Sequence, residues 1–378
     1  MSCIILSFKT IIVKLLVLEP YYGGSHKTFF DGLEESLPFD FVLLSLPARK
    51  WKWRMRLAAP YFVDKIVALS REAKFDAVFC SSFVDVAALR SLLPPSVGQL
   101  PFYTYFHENQ FAYPVRQEDE RDFHFGLTNL TTVLASDKVA FNSGYNMQTF
   151  VRGVEQILQI CPDMKLEGVL EGIEARSSIL HPGIDFSQID SAALAGGSPG
   201  RSSKIPVIVW NHRWEHDKNP ESFFRTLFEL DAKGLDFRLI ILGQSFRRKP
   251  GIFSVAHDKL RHKILHCGFV ESRDEYARLL ATGDLVVSTA EHEFYGISVI
   301  EAARAGCMPL LPNCLSYPEL FPPQYLYESG DLFNRLKSFL DDPGKIDKSA
   351  AIPLTDRFSW SALKKKYSAW FSDFRGGC

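Results

Sequence analysis

Short, β-rich apolar runs alternate with helix-length amphipathic stretches along nearly the whole chain, and this alternation limits the fold more than any other feature of the sequence. A strand buried on both faces reads as a near-continuous apolar run, and strands that alternate with helices build parallel sheets covered by those helices. The pattern predicts strands near residues 11–18, 39–44, 77–80, 102–106, 138–142 and 178–181. Helices are expected between them, near 27–36, 61–72, 84–92, 123–135 and 145–158. The stretch 195–204, Ala-Gly-Gly-Ser-Pro-Gly-Arg-Ser-Ser-Lys, is small, polar and turn-forming, and reads as a linker. Beyond it the alternation restarts, with strands near 206–210, 237–242, 264–267, 285–288 and 308–311. The matching helices fall near 220–233, 273–282, 296–305 and 332–340. The expected architecture is α/β, two doubly wound Rossmann-like domains facing a central cleft. Residues 1–195 form the first domain, 196–204 the linker and 205–378 the second, whose aromatic helical tail, 360–374, could cross back. Ligands of such folds bind at strand C-terminal ends, in the cleft.

Charge and cysteine content narrow the partners. Lys and Arg total 43 against 44 Asp and Glu, a formal net charge of −1. A polyanion must therefore be met by a local basic patch. The seven cysteines are scattered, odd in number and without a C-x-x-C pair, as expected of reduced thiols in the cytoplasm and neither a disulfide framework nor a zinc site. The apolar run 11–18 is too short to span a bilayer, which needs about 20 residues, and Lys14 interrupts it, so stable membrane insertion is not expected.

Five motifs follow expected strands. Glu293-Phe294-Tyr295-Gly296-Ile297 leads into Glu301, placing one carboxylate in a turn and a second about one turn into the next helix. Gly296 lets a ligand approach the backbone, and a helix N-terminus offers free N–H groups with roughly +0.5 charge. A diphosphate could lie on those amides while the two carboxylates accept hydrogen bonds from sugar hydroxyls. The loop Trp210-Asn211-His212-Arg213-Trp214-Glu215-His216-Asp217-Lys218 supplies a guanidinium and an ammonium. Each charge-assisted hydrogen bond they make to a departing diphosphate is worth about 1.5–3 kcal/mol. Gly23-Gly24-Ser25-His26 opens a helix after the first strand without the G-x-G-x-x-G dinucleotide fingerprint. His107, Glu108 and Asn109 follow the strand 102–106, where His107 could meet the reacting face and the other two an acceptor. Finally, Arg49-Lys50-Trp51-Lys52-Trp53-Arg54-Met55-Arg56 interleaves cations with indoles. Such a segment can hold phosphates and stack on unpaired bases; it can equally be an amphipathic helix with its indoles in the core. No Asp-x-Asp occurs and no His/Cys spacing suits a metal, so no metal is expected.

The Glu293-x7-Glu301 pair with Gly306 behind it resembles the signature of retaining family 4 glycosyltransferases of the GT-B fold. Arg213 and Lys218 resemble the basic pair that family sets on the donor diphosphate, and Gly23-Gly24 its N-terminal glycine-rich turn. Five segments, 19–27, 46–54, 105–110, 210–218 and 288–296, are together similar to the tRNA-queuosine alpha-mannosyltransferase group. That resemblance implies transfer of mannose from GDP-mannose onto queuosine in the anticodon loop of tRNA(Asp), with no cofactor beyond the donor. Glu301 would bind the donor ribose and Glu293 the mannose hydroxyls. Arg213 and Lys218 would hold the diphosphate, with Phe294, Tyr295, Gly296 and Ile297 beside it, and Gly23 and Gly24 across the cleft. His107 would stand near the reacting sugar. Arg49, Lys50, Trp51, Lys52, Trp53, Arg54 and Arg56 would bind tRNA. A family 4 enzyme acting on a lipid or glycan is the main alternative, since a basic Trp-bearing helix also suits an anionic membrane; a tRNA-binding protein without catalysis is another.

Overall fold

A computed structural model describes residues 13–114, 122–161, 163–195, 205–245 and 250–372. The expected linker 196–204, the basic cluster 247–249, and Cys3 and Cys378 lie outside the described residues. Six strands form the first sheet: β1 (Lys14–Tyr22), β2 (Asp40–Pro47), β3 (Ala77–Ser81), β4 (Phe102–Phe106), β5 (Lys138–Phe141) and β6 (Ser177–Ile179). They are parallel and ordered β2-β1-β3-β4-β5-β6. The second sheet holds β7 (Val207–Asn211), β8 (Arg238–Leu242), β9 (Ile264–Gly268), β10 (Leu285–Val287), β11 (Met308–Pro312) and β12 (Leu326–Tyr327). These are also parallel, ordered β12-β11-β10-β7-β8-β9. The strand order reverses beside β1 in one sheet and between β7 and β10 in the other. Loops leaving adjacent strands there turn to opposite faces and open a crevice, which is where α/β ligands bind.

β1 runs four residues past its expected end because Glu19 to Tyr22 continue to pair with β2. Helices Val169–Arg176, Ser187–Ala195 and Ile252–Leu260, and the short strand β12, add to the expected elements. The helix expected from residue 61 begins at Trp51, so the basic segment is its first turns. The C-terminal helix Trp360–Ser372 packs on the first sheet rather than the second. Its Trp360, Leu363, Tyr367, Trp370 and Phe371 share one core with Leu15, Phe79 and Tyr103. Trp360 fits there because Gly32 and Gly183 leave it room: a Cβ on either would lie 2.0 and 2.2 Å from the indole. Among the described residues no helix is long and apolar enough to cross a membrane.

The two halves are also joined next to the crevice. The helix Gly144–Ile160 starts with its amides facing the second half, where the Glu319 carboxylate accepts from Gly144 N at 2.8 Å. Ser143 accepts from Asn146 N within that helix and donates to the Phe294 carbonyl at 2.6 Å.

Candidate functional site

A cleft of about 730 Å³ lies between the two sheets' C-terminal ends. That volume suits a ligand larger than a single hexose. From the first half it is lined by Gly23, Gly24, His26, Trp51, His107 and Glu108; from the second by Arg213, Lys218, Glu293 and residues 294–298.

The loop after β7 is held by its own indoles. Trp210 is fully buried, and Trp214 stacks on Phe253 at 4.2 Å with the rings 3° apart. Arg213, between them, is turned into the cleft with 53% of its side chain accessible, and Glu215 pairs with it at 3.1 Å. Lys218 is buried, and its ammonium meets the His292 carbonyl (2.6 Å), Asp217 (3.1 Å) and Glu293 (3.3 Å). An ammonium has three protons. All three have protein acceptors here, so Lys218 reaches a ligand only by exchanging one. The β7 and β10 loops are stitched together further by Glu291 N donating to the Asp217 carbonyl and Thr289 donating to that of Lys218.

Burial works to raise the Glu293 pKa, but Lys218 outweighs it and brings the value down to about 2. The carboxylate is thus ionised at any physiological pH. Burial together with Lys218 pushes His212 and His292 down to about 4. Both imidazoles are neutral beside the ion pair, and the Nε2 of each is buried without a hydrogen-bond partner. Burial opposes charge on Arg213 as well, yet Glu215 holds its pKa above the ordinary value.

Gly296 adopts φ 101° at the N-terminus of the helix Ile297–Arg304, a conformation that strains any residue with a Cβ. No side chain caps that end, so the first amides of the helix are free toward the cleft. Glu301 lies inside the same helix but behind the cleft wall. Its oxygens take Arg273 at 2.5 Å and the Tyr276 hydroxyl at 2.7 Å, and Tyr276 also accepts from Asn211. Tyr276 and Asn211, rather than Glu301, line the cavity. Arg273 and Tyr276 escaped the sequence reading because an Arg and a Tyr in an ordinary amphipathic helix carry no local mark.

Across the cleft, Gly24 opens the first helix at φ 53°, and Gly23 packs on Ala48, whose Cβ would be 2.6 Å from an added Cβ. His107 stands at the wall, and the neighbouring residues divide. Glu108 faces the cavity, with burial raising its pKa. Asn109 is fully buried and bonded to Asn146 and Thr149, so it is a structural residue and holds no acceptor.

The basic segment divides too. Trp51 lines the cleft, whereas Trp53 points out with 66% of its surface exposed. Arg54 donates one of its guanidinium N–H groups to the Pro47 carbonyl at 3.2 Å. Lys52 and Arg56 lie over the Phe125 ring at 5.9 and 4.6 Å, and Arg49 and Lys50 are exposed before the helix.

Spacing gave no metal set, yet the fold brings ligand atoms of Glu19, His26 and His107 within 4.8 Å of one another. The geometry does not suit an ion. The Glu19 oxygens already accept from Tyr21 N, Ser81 and His26, and the two imidazoles pack face against face with centroids 4.0 Å apart and planes 35° from parallel.

The sequence pattern of the family described as "tRNA-queuosine alpha-mannosyltransferase N-terminal" matches residues 14–184, and that of "Glycosyl transferases group 1" matches 197–351. The chain is 38% identical over 362 residues to the tRNA-queuosine alpha-mannosyltransferase of Drosophila melanogaster, covering 93% of this chain and 95% of that one. The chain belongs to the tRNA-queuosine alpha-mannosyltransferase family. Members of this family are glycosyltransferases, and the fold agrees. Anabaena HepE in complex with UDP superposes with a TM-score of 0.68 at 15% identity, covering 96% of this chain and 100% of that one. Sucrose-phosphate synthase from Thermosynechococcus elongatus gives 0.69 at 12% identity, over 97% and 100%. The architecture of this family member is therefore GT-B, as its sequence implied.

Proposed function

We propose that the chain transfers mannose from GDP-mannose to queuosine in the anticodon loop of a tRNA, tRNA(Asp) being the acceptor, in the cytoplasm, with retention at the anomeric carbon and without a metal ion. The observation that carries this reading is the meeting of Arg213, the buried Lys218–Glu293 pair and the free amides of Gly296 to Ser298 at one cleft wall. Together they offer N–H donors for a diphosphate next to an ionised carboxylate for sugar hydroxyls. Glu301, behind the wall and fixed by Arg273 and Tyr276, meets a ribose hydroxyl only if the ribose displaces one of those partners; otherwise it acts through Tyr276, which lines the cavity.

In this mechanism the acceptor hydroxyl attacks from the face that the diphosphate is leaving, and a phosphate oxygen takes its proton. The protein contributes position and preorganised charge, the largest sources of rate in such transfers. The tRNA approaches over Arg49, Lys50, Lys52, Arg56 and the exposed Trp53, which continue outward from Trp51 at the rim. The family membership supports the acceptor, and the basic helix in a chain of net charge −1 supports a polyanion.

The test is incubation with a panel of labelled sugar nucleotides and bulk tRNA, followed by digestion to nucleosides. Label from GDP-mannose on one modified nucleoside is the expected result. Label on added liposomal lipid or free glycan, with none on tRNA, would overturn the acceptor assignment.

A further inference from the structure

Glu19 ends the apolar run of β1, and His26 lies in the first turn of the following helix; both are buried, 5% and 4% exposed, beside the cleft. We propose that Glu19 and His26 are positioning residues for the transfer, a buried pair against which the His107 ring packs and by which its orientation and hydrogen bonding at the reacting face are fixed. This rests on the transferase reading and deepens it.

A buried carboxylate is costly unless its oxygens are satisfied. Glu19 meets that demand fully. Its Oε1 accepts from Tyr21 N at 2.8 Å and from the Ser81 hydroxyl at 3.1 Å, and its Oε2 lies 3.0 Å from His26 Nδ1. The pair therefore draws on β1, β3 and the first helix at once, which fixes the His26 ring. That ring is held between Phe83, at 5.3 Å, and His107, at 4.0 Å. His107 in turn meets the edges of Phe29 and Tyr105 at 4.9 and 4.7 Å. Three rings clamp His107, and no described protein group hydrogen-bonds its imidazole nitrogens. The ring itself lies at the cleft wall.

Charge follows from the ring contact. Two imidazoles at this separation do not both hold a positive charge cheaply. Burial works against charge on His26, but Glu19 outweighs it and Glu108 adds to the effect, so the His26 pKa is raised. Burial and then His26 push His107 well below the ordinary value. His26 takes the proton and His107 stays neutral. A neutral ring can hydrogen-bond a sugar hydroxyl without repelling the positive character that grows on the anomeric carbon as the diphosphate leaves.

The decisive variant is Glu19→Gln, which keeps the shape and removes the charge that holds the proton on His26. His107 then titrates nearer the ordinary imidazole range. The acidic limb of the kcat/KM profile should move up by about one pH unit, and kcat at pH 6 should fall several-fold while the donor KM stays within twofold. Profiles that superimpose, at equal melting temperature, overturn the proposal. If Glu19→Gln does not fold, ring-labelled histidine NMR of the unaltered protein decides. The signal absent from His107→Gln should stay unprotonated down to pH 5, and titration near 6.5 refutes the pairing. Stoichiometric Zn²⁺ binding that Glu19→Gln abolishes would also overturn it. The NMR titration needs no substrate, so failure of the transferase reading and failure of this pairing are separable.

Discussion

Lys218 shows why a residue's chemistry and its structural duty must be weighed together. Its ammonium is the buried counter-charge of both Glu293 and Asp217. Lys218→Ala leaves two carboxylates without their counter-charge, and removing one member of such a buried set costs about 3–5 kcal/mol. Loss of transfer should therefore come with a clear fall in melting temperature. Arg213, half accessible and bonded to Glu215, differs: Arg213→Ala should leave the melting temperature within about 2 °C. Its kcat/KM should still drop by about 10²–10³-fold, the cost of losing a fixed donor to a departing anion. Steady-state kinetics beside thermal melts separate the two. His212 and His292 predict a pH effect on stability. Each has a folded pKa of about 4, below the unfolded value, so the unfolded chain binds more protons between about pH 4 and 6.5. Stability should rise with pH across that window and fall as acid is added, and His212→Gln should flatten the dependence in denaturant titrations.

Helix ends decide much at the next scale. The helix Trp51–Glu72 begins with Lys50 at φ 55° and no side-chain cap, and its first turns carry Lys52, Arg54 and Arg56 against the helix dipole. Like charge on the positive end destabilises a helix by a few tenths of a kcal/mol to about 1 kcal/mol per residue. The helix Gly144–Ile160 is arranged in the opposite way, with a carboxylate from the other half on its amides. Glu319→Ala should cost about 1 kcal/mol, and Glu319→Gln about half of that, because the amide oxygen still accepts while the charge is removed. Chemical denaturation of the two variants measures this. If both match the unaltered protein, the cap does not help to hold the two halves together.

For the whole molecule, net charge near zero means that tRNA affinity must come from one face. Reversing Lys50, Lys52 and Arg56 to Glu should weaken tRNA binding at least tenfold. It should also reduce the slope of log K against log salt by about 0.7–0.9 for each phosphate that the protein no longer neutralises. Gel shifts over a salt series read both. The C-terminal helix adds a second whole-chain feature, since it closes the core of the first sheet and so makes that half depend on the last described residues.

The α/β class and the succession of strands were legible because burial on two faces writes itself into local composition, and βαβ order leaves parallel sheets as the outcome. The glycine and charged residues after β7 and β10 were legible for the same local reason, and they line one cleft. Helix Ile252–Leu260 was not found, because its buried face is only Phe253, Ala256 and Leu260 in nine residues directly behind Pro250 and Gly251. Neither the packing of His26 on His107 nor the backing of Glu301 by Arg273 and Tyr276 could be read from spacing, and the filling of all three Lys218 donors was equally invisible there. Those depend on which loops the strand order brings together, across separations such as the 62 residues between Glu19 and Ser81. Sequence alone thus determined the elements and the chemistry available at their ends, because short-range burial and backbone preference set them. Tertiary structure decided which of those groups meet and which are already satisfied, because hydrogen bonding and charge depend on distances in space that no spacing along the chain encodes.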